Sequence, residues 1–162
     1  MATLGVGGCL GAGIAIPALR VLASPVGRRV VTSPGDPIDV GSVDQLSRDG
    51  SPIKLGVVAP MIRDAWSSVQ HIPLGAAWIR RDGDRIFALS SICPHLGCAI
   101  AWSPAHKQFE CPCHDSAFAV SGARIKGPAK RGLDELPVTE IGGRLKLNWL
   151  RYRPGIADKV EV

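Results

Sequence analysis

The sequence predicts a small all-β domain, an antiparallel β-sandwich that carries a subdomain of two cysteine- and histidine-bearing loops, behind an N-terminal transmembrane helix. Three observations point there. Residues 2–19 form an unbroken uncharged, largely apolar run. The chain as a whole is rich in glycine (19) and proline (13) and poor in aromatics, the balance of a module made of short strands and tight turns. Finally, Cys93-Pro94-His95-Leu96-Gly97-Cys98 and Cys111-Pro112-Cys113-His114-Asp115-Ser116 place four cysteines and two histidines in two short segments.

The uncharged run would span about 27 Å as a helix, roughly the thickness of a bilayer core. Residues 1–19 are therefore expected to be a transmembrane anchor. Competing readings are a secretory apolar region cleaved near Val21-Leu22-Ala23, or a lipoprotein site at Cys9, against which the apolar run continues past Cys9. Otherwise Cys9 is an inert small hydrophobe. Residues 20–36 lack periodicity and are broken by prolines and glycines, which reads as a hinge linker. If flexible, its reach is about 20–25 Å.

Residues 37–162 make one domain of ordinary size. Strands are expected at 38–40, 53–58, 76–80, 85–90, 99–102, 107–110, 136–141 and 144–149. Asp82-Gly83 and Gly142-Gly143 are hairpin signals, and Leu145, Leu147 and Trp149 would share one buried face. The formal net charge of +5 is dispersed, which gives no nucleic-acid patch. There is no hydrolytic triad and no phosphate-binding glycine loop.

The two clusters read as C-x-H, then C-x-x-H after 15 intervening residues. This offers two thiolates and two imidazoles, Cys93, His95, Cys111 and His114, and leaves Cys98 and Cys113 over. A structural zinc site uses the same ligand types. Zinc fingers, however, group cysteine with cysteine and histidine with histidine, and would not need the two extra cysteines. His71 and His106 have no partner in ligand spacing and read as surface residues.

With these boxes, with the stretch from Ala101-Trp102-Ser103-Pro104 to Lys107-Gln108-Phe109, and with Gly127-Pro128-Ala129, the chain resembles the Rieske iron-sulfur proteins of quinol-oxidising cytochrome bc and bf complexes over about residues 75–149. The resemblance implies one Rieske [2Fe-2S] cluster, with Cys93 and Cys111 on one iron and His95 and His114 on the other. It also implies a Cys98–Cys113 disulfide stapling the loops. His95 or His114 would accept a hydrogen bond from quinol, and Leu96 and Pro94 would cap the cluster. Ser116 would donate a hydrogen bond to a bridging sulfide. Ring-hydroxylating dioxygenases also resemble these boxes, but usually lack the disulfide cysteines and need a large second domain.

By the same resemblance the chain is the electron-transfer subunit of a quinol:cytochrome c oxidoreductase. It would take one electron from quinol with proton release and pass it to a c-type haem, working with cytochrome b and cytochrome c subunits in a dimeric complex. Its place would be the bacterial inner membrane, as a single-pass protein with the domain on the periplasmic side. The arginines that follow the apolar run argue for the opposite orientation, but a stable disulfide requires an oxidising compartment. The alternative is the small subunit of an arsenite-oxidase-type molybdoenzyme, a fixed electron relay. Three departures from the family pattern stand out. Phe118 replaces the tyrosine of high-potential members, Asp115 replaces a glycine, and Lys130 replaces the second proline of the proline loop. The first two are expected to lower the potential, which suits menaquinol.

Overall fold

In the computed structural model, the described residues are 13, 15–21, 37–63 and 68–162. Gly13 and residues 15–21 are helical and exposed. Among the described residues no helix is long and apolar enough to cross a membrane. Most of the expected anchor, Cys9 and nearly all of the 20–36 linker lie outside the described residues.

From residue 38 onward the chain is built of strands: β1 (Ile38–Ser42), β2 (Ile53–Arg63), β3 (Ser68–Asp82), β4 (Arg85–Ser90), β5 (Ala101–Ser103), β6 (Gln108–Glu110), β7 (Ala117–Ala119), β8 (Arg124–Lys126), β9 (Glu135–Leu136), β10 (Val138–Ile141) and β11 (Arg144–Leu147). They form three antiparallel sheets, ordered β1-β11-β10, β2-β3-β4-β9 and β5-β6-β7-β8. A 3₁₀ turn, Val43–Gln45, follows β1. Its capping box is formed by the Ser42 hydroxyl and the Gln45 side chain.

The first two sheets enclose the main core. Ile38, Val57, Ala77, Ile79, Ala88, Leu136, Leu145 and Leu147 are buried together, with Trp149 beside them. Leu145, Leu147 and Trp149 thus share a buried face, as the alternation predicts. Both hairpin signals fall at two-residue connections, since Asp82 pairs with Arg85 and Ile141 with Arg144. Gly142 and Gly143 both take positive φ there (57° and 75°), the demand of the turn that suits strand twist.

The third sheet carries a second, smaller core of Leu89, Ile100, Phe109, Phe118, Ala129 and Leu133, which also encloses Cys93 and Cys111. The Phe109 ring packs edge-on to Trp102, with centroids 5.0 Å apart, and tilted against Trp78 at 5.6 Å.

Four expectations need correction. The single strand over 136–141 is two strands in different sheets, because Pro137 has no N–H to continue a ladder and the chain changes sheet there. The strand expected at 99–102 begins at Ala101, and Ala99 makes only an isolated bridge to Ile92. The strands expected at 53–58 and 76–80 extend into a long hairpin of 11 and 15 residues. β7 and β8 were not foreseen: they are three residues each, and every residue of β8 is exposed, so no apolar alternation announces it.

Candidate metal centre

The first loop leaves the second sheet at the end of β4, and the second lies between β6 and β7 of the third sheet. Each closes on itself in the same way. The Cys93 N–H donates to the Cys98 carbonyl at 2.7 Å and the Cys111 N–H to the Ser116 carbonyl at 2.8 Å. The residue before each closing carbonyl takes a left-handed backbone, Gly97 at φ 83° and Asp115 at φ 56°. Aspartate is one of the few residues that tolerates this in place of glycine. The loops are joined by a Cys98–Cys113 disulfide with a Cα–Cα distance of 6.6 Å.

With those two sulfurs spent, Cys93 and Cys111 are the free thiols among the described residues, and both are buried. The Sγ atoms of Cys98, Cys111 and Cys113 lie within 4.8 Å of one another, but this is a disulfide beside a free thiol, not three ligands. Burial pushes the Cys93 thiol up to about 11, the backbone N–H groups of His95 and Leu96 oppose that, and the Cys111 thiol beside it adds to the rise. A thiolate in this place therefore calls for a cation as its counter-charge.

The two imidazoles meet at the mouth of the loops, with ring centroids 4.8 Å apart and planes 89° apart. His114 is exposed and His95 half-buried. His95 Nδ1 is the single buried side-chain nitrogen or oxygen without a hydrogen-bond partner among the described residues. An orphaned ring nitrogen is costly unless something ligates it. Two buried thiols and two converging imidazoles, one with a vacant inward nitrogen, fit an iron-sulfur cluster held by sulfur on one side and nitrogen on the other.

Ser116 is buried, and its Oγ accepts the Ala129 N–H at 3.3 Å, which leaves its own hydrogen to donate. This contact seats the 127–130 segment on the second loop. A Cβ at Gly127 (φ 91°) would come within 2.4 Å of the Ser116 Cα, so only glycine permits the approach. Phe118 is fully buried beside Cys111 in the small core, and Lys130 is exposed.

Three expectations about the site change. Leu96 is 62% exposed, so it forms bare apolar surface next to His95, while Pro94 is the buried member of the pair. Asp115 is not an isolated anion: the Lys126 ammonium pairs with it at 2.7 Å and offsets its charge. His106 is a surface residue as expected, but it has a partner, the Glu110 carboxylate at 2.7 Å. Sequence reasoning missed Lys126 and the Arg131–Asp134 pair. Lys126 lies 11 residues from Asp115 on a strand with no sequence signal, and Arg131 makes its remaining contacts to residues more than 20 positions away.

Comparison with known proteins agrees with this geometry. The menaquinol:cytochrome c reductase iron-sulfur subunit of Bacillus subtilis (strain 168) is 34% identical over 126 residues, covering 76% of this chain and 71% of that protein. The subunit of the same name from Geobacillus thermodenitrificans is 32% identical over 157 residues, covering 92% of this chain and 87% of that protein. Among solved structures, the cyanobacterial plasma membrane Rieske protein of Synechocystis PCC 6803 superposes with a TM-score of 0.51 at 26% identity, over 69% of this chain and 99% of that one. The profile of the Rieske [2Fe-2S] domain matches residues 39–137, which include both loops, the segment seated on Ser116 and the part of the main core contributed by β2, β3, β4 and β9. By that match and these relatives, the chain belongs to the Rieske [2Fe-2S] domain family.

Proposed function

We propose that this chain is the electron-transfer subunit of a bc-type membrane quinol:cytochrome c oxidoreductase, with menaquinol as the quinol and a c-type haem as acceptor. Two relatives named menaquinol:cytochrome c reductase iron-sulfur subunits, which match most of the chain, support the reading. The observation on the molecule that carries it is the mouth of the loops, where the exposed His114 ring meets the half-buried His95 ring beside the bare Leu96 side chain.

Cys93 and Cys111 would hold one iron and His95 and His114 the other. When bound, the [2Fe-2S] cluster supplies a one-electron acceptor. Each imidazole would hold iron through one ring nitrogen and keep the other for a second task. At His114 that nitrogen is free to accept a hydrogen bond from a quinol hydroxyl and to hold its proton. Leu96 offers the quinol ring an apolar face. The Ser116 hydroxyl and the N–H groups of His95 and Leu96 stabilise negative charge at the buried sulfur side.

The partners in this reading are cytochrome b and cytochrome c subunits of a dimeric complex. In this reading residues 1–19 would be the single membrane span and 20–36 the hinge, with the domain outside the bacterial inner membrane. The Cys98–Cys113 disulfide supports an oxidising compartment. The arsenite-oxidase reading is not favoured, because relatives across most of the chain are quinol-oxidising reductase subunits. Purification from native membranes tests the assignment. The expected result is co-purification with b- and c-type haems and menaquinol-dependent cytochrome c reduction. Recovery with a molybdopterin-bearing subunit, and no quinol oxidation, would contradict it.

A further inference from the structure

The C-terminal segment lies beyond the part matched by the family profile, which ends at residue 137. It folds back on itself: Tyr152 bridges to Glu161, the Arg153 N–H donates to the Val160 carbonyl, and the Val162 N–H donates to the Arg151 carbonyl. The closed loop so formed meets the first loop of the centre at one point. There the Gly155 N–H donates to the Pro94 carbonyl at 2.9 Å, and a Cβ on Gly155 would lie 3.6 Å from the His95 carbonyl.

Arg131 holds this contact from behind. Its Nη1 donates to the Arg153 carbonyl at 3.0 Å and to the Ile156 carbonyl at 2.8 Å, gripping the chain on both sides of Gly155. Its Nε and Nη2 make a two-pronged pair with Asp134 at 2.9 and 2.8 Å, and the two side chains are only 11% and 7% exposed. The Asp134 carbonyl in turn accepts the Ser90 N–H at 2.8 Å, at the end of β4 and three residues before Cys93. One guanidinium therefore ties the tail to the strand that delivers the first loop, with all but one of its donors used. A forked, buried arrangement of this kind fixes geometry as well as adding energy.

We infer that Arg131 is a positioning residue of the metal centre: by clamping loop 153–156 against the Pro94 carbonyl, it fixes the backbone that carries His95. The inference rests on the reading of His95 as an iron ligand. Truncating Arg131 loosens loop 153–156, although Tyr152 on the main core and the Lys159–Glu135 hydrogen bond still hold the tail. It also leaves Asp134 an uncompensated buried charge and lets the Pro94–His95 peptide move.

The test is Arg131→Gln in the full chain within its complex, with the cluster's EPR spectrum, its midpoint potential and the amide exchange of Gly155 as readouts. The expected result is a retained [2Fe-2S] signal with broadened and displaced lines, a displaced potential, and Gly155 exchange faster by about tenfold, the worth of one hydrogen bond. Arg131→Lys, which keeps the charge but not the fork, should fall between the two. A spectrum and potential equal to the wild type, with only a lower thermal midpoint, would overturn the inference and leave Arg131 a stabilising residue. Should Arg131→Gln not fold, Gly155→Ala decides. It leaves the Arg131–Asp134 pair intact and strains only the residue at φ 81° that touches the loop, so a displaced spectrum supports positioning and an unchanged one rejects it. A wild-type chain without any [2Fe-2S] signal would defeat the underlying reading instead.

Discussion

Around the buried thiols, three side chains set how well negative charge is accommodated. Phe118 brings no hydrogen-bond donor into the small core that holds Cys93 and Cys111, whereas a tyrosine there would bring a hydroxyl. Phe118→Tyr should raise the midpoint potential, because a donor to a thiolate favours the reduced, more negative state. Redox titration of the variant against the wild type reads the effect, and an equal or lower value would contradict it. Ser116→Ala should move the potential the other way. It should also destabilise the domain by about 1–3 kcal/mol, since the Ala129 N–H loses its buried acceptor. Asp115 is a weaker lever than its charge suggests, because Lys126 pairs with it. The low-potential expectation therefore rests on Phe118 more than on Asp115.

Two packed junctions hold the elements in register. The 127–130 segment approaches the second loop only because residue 127 lacks a Cβ, which would meet the Ser116 backbone. Gly127→Ala should cost about 1–3 kcal/mol of stability, the usual penalty for overpacking a tight contact. It should also displace Ser116 enough to alter the cluster's EPR lines. In the first sheet, Arg144 hydrogen-bonds Asp39 across the β1–β11 ladder, with Lys146 adding to it, and holds the Asp39 carboxyl down to about 2 from 3.8. Because the folded value is the lower one, this contribution is present above about pH 4 and is lost as the pH falls through about 2. Asp39→Asn should therefore flatten the acid limb of the stability curve between those values, as followed by circular dichroism. The variant should be less stable than the wild type at neutral pH, by a small amount because the pair is at the surface, and converge with it near pH 2. The sequence announced these elements unevenly. Arg85–Ser90 is read to the residue because apolar side chains and the Asp82-Gly83 turn bracket it, whereas Arg124–Lys126 has no buried face to betray it.

At the scale of the whole molecule, the site was more legible than the scaffold. Cys93, His95, Cys98, Cys111, Cys113 and His114 lie within two short segments, so their chemistry is local in sequence and their spacing speaks for itself. The switch of sheet at Pro137, the Lys126–Asp115 pair and the Arg131 clamp are products of chain crossings, which no local pattern encodes. The Cys98–Cys113 bridge joins two loops from different sheets, so its reduction should lower stability by about 3 kcal/mol in the chain-entropy account. A reductant-dependent fall in the thermal midpoint would show it. The account as a whole stands on an unsymmetrical grip, with Cys93 and Cys111 on one iron and His95 and His114 on the other. Pulsed EPR of the reduced protein, with iron and acid-labile sulfide assayed on the same sample, tests it most directly. The expected result is two irons and two sulfides per chain with hyperfine coupling from two distinct imidazole nitrogens, one of them lost in each of His95→Cys and His114→Cys. A reduced signal without nitrogen coupling, or a single divalent metal without sulfide, would contradict it.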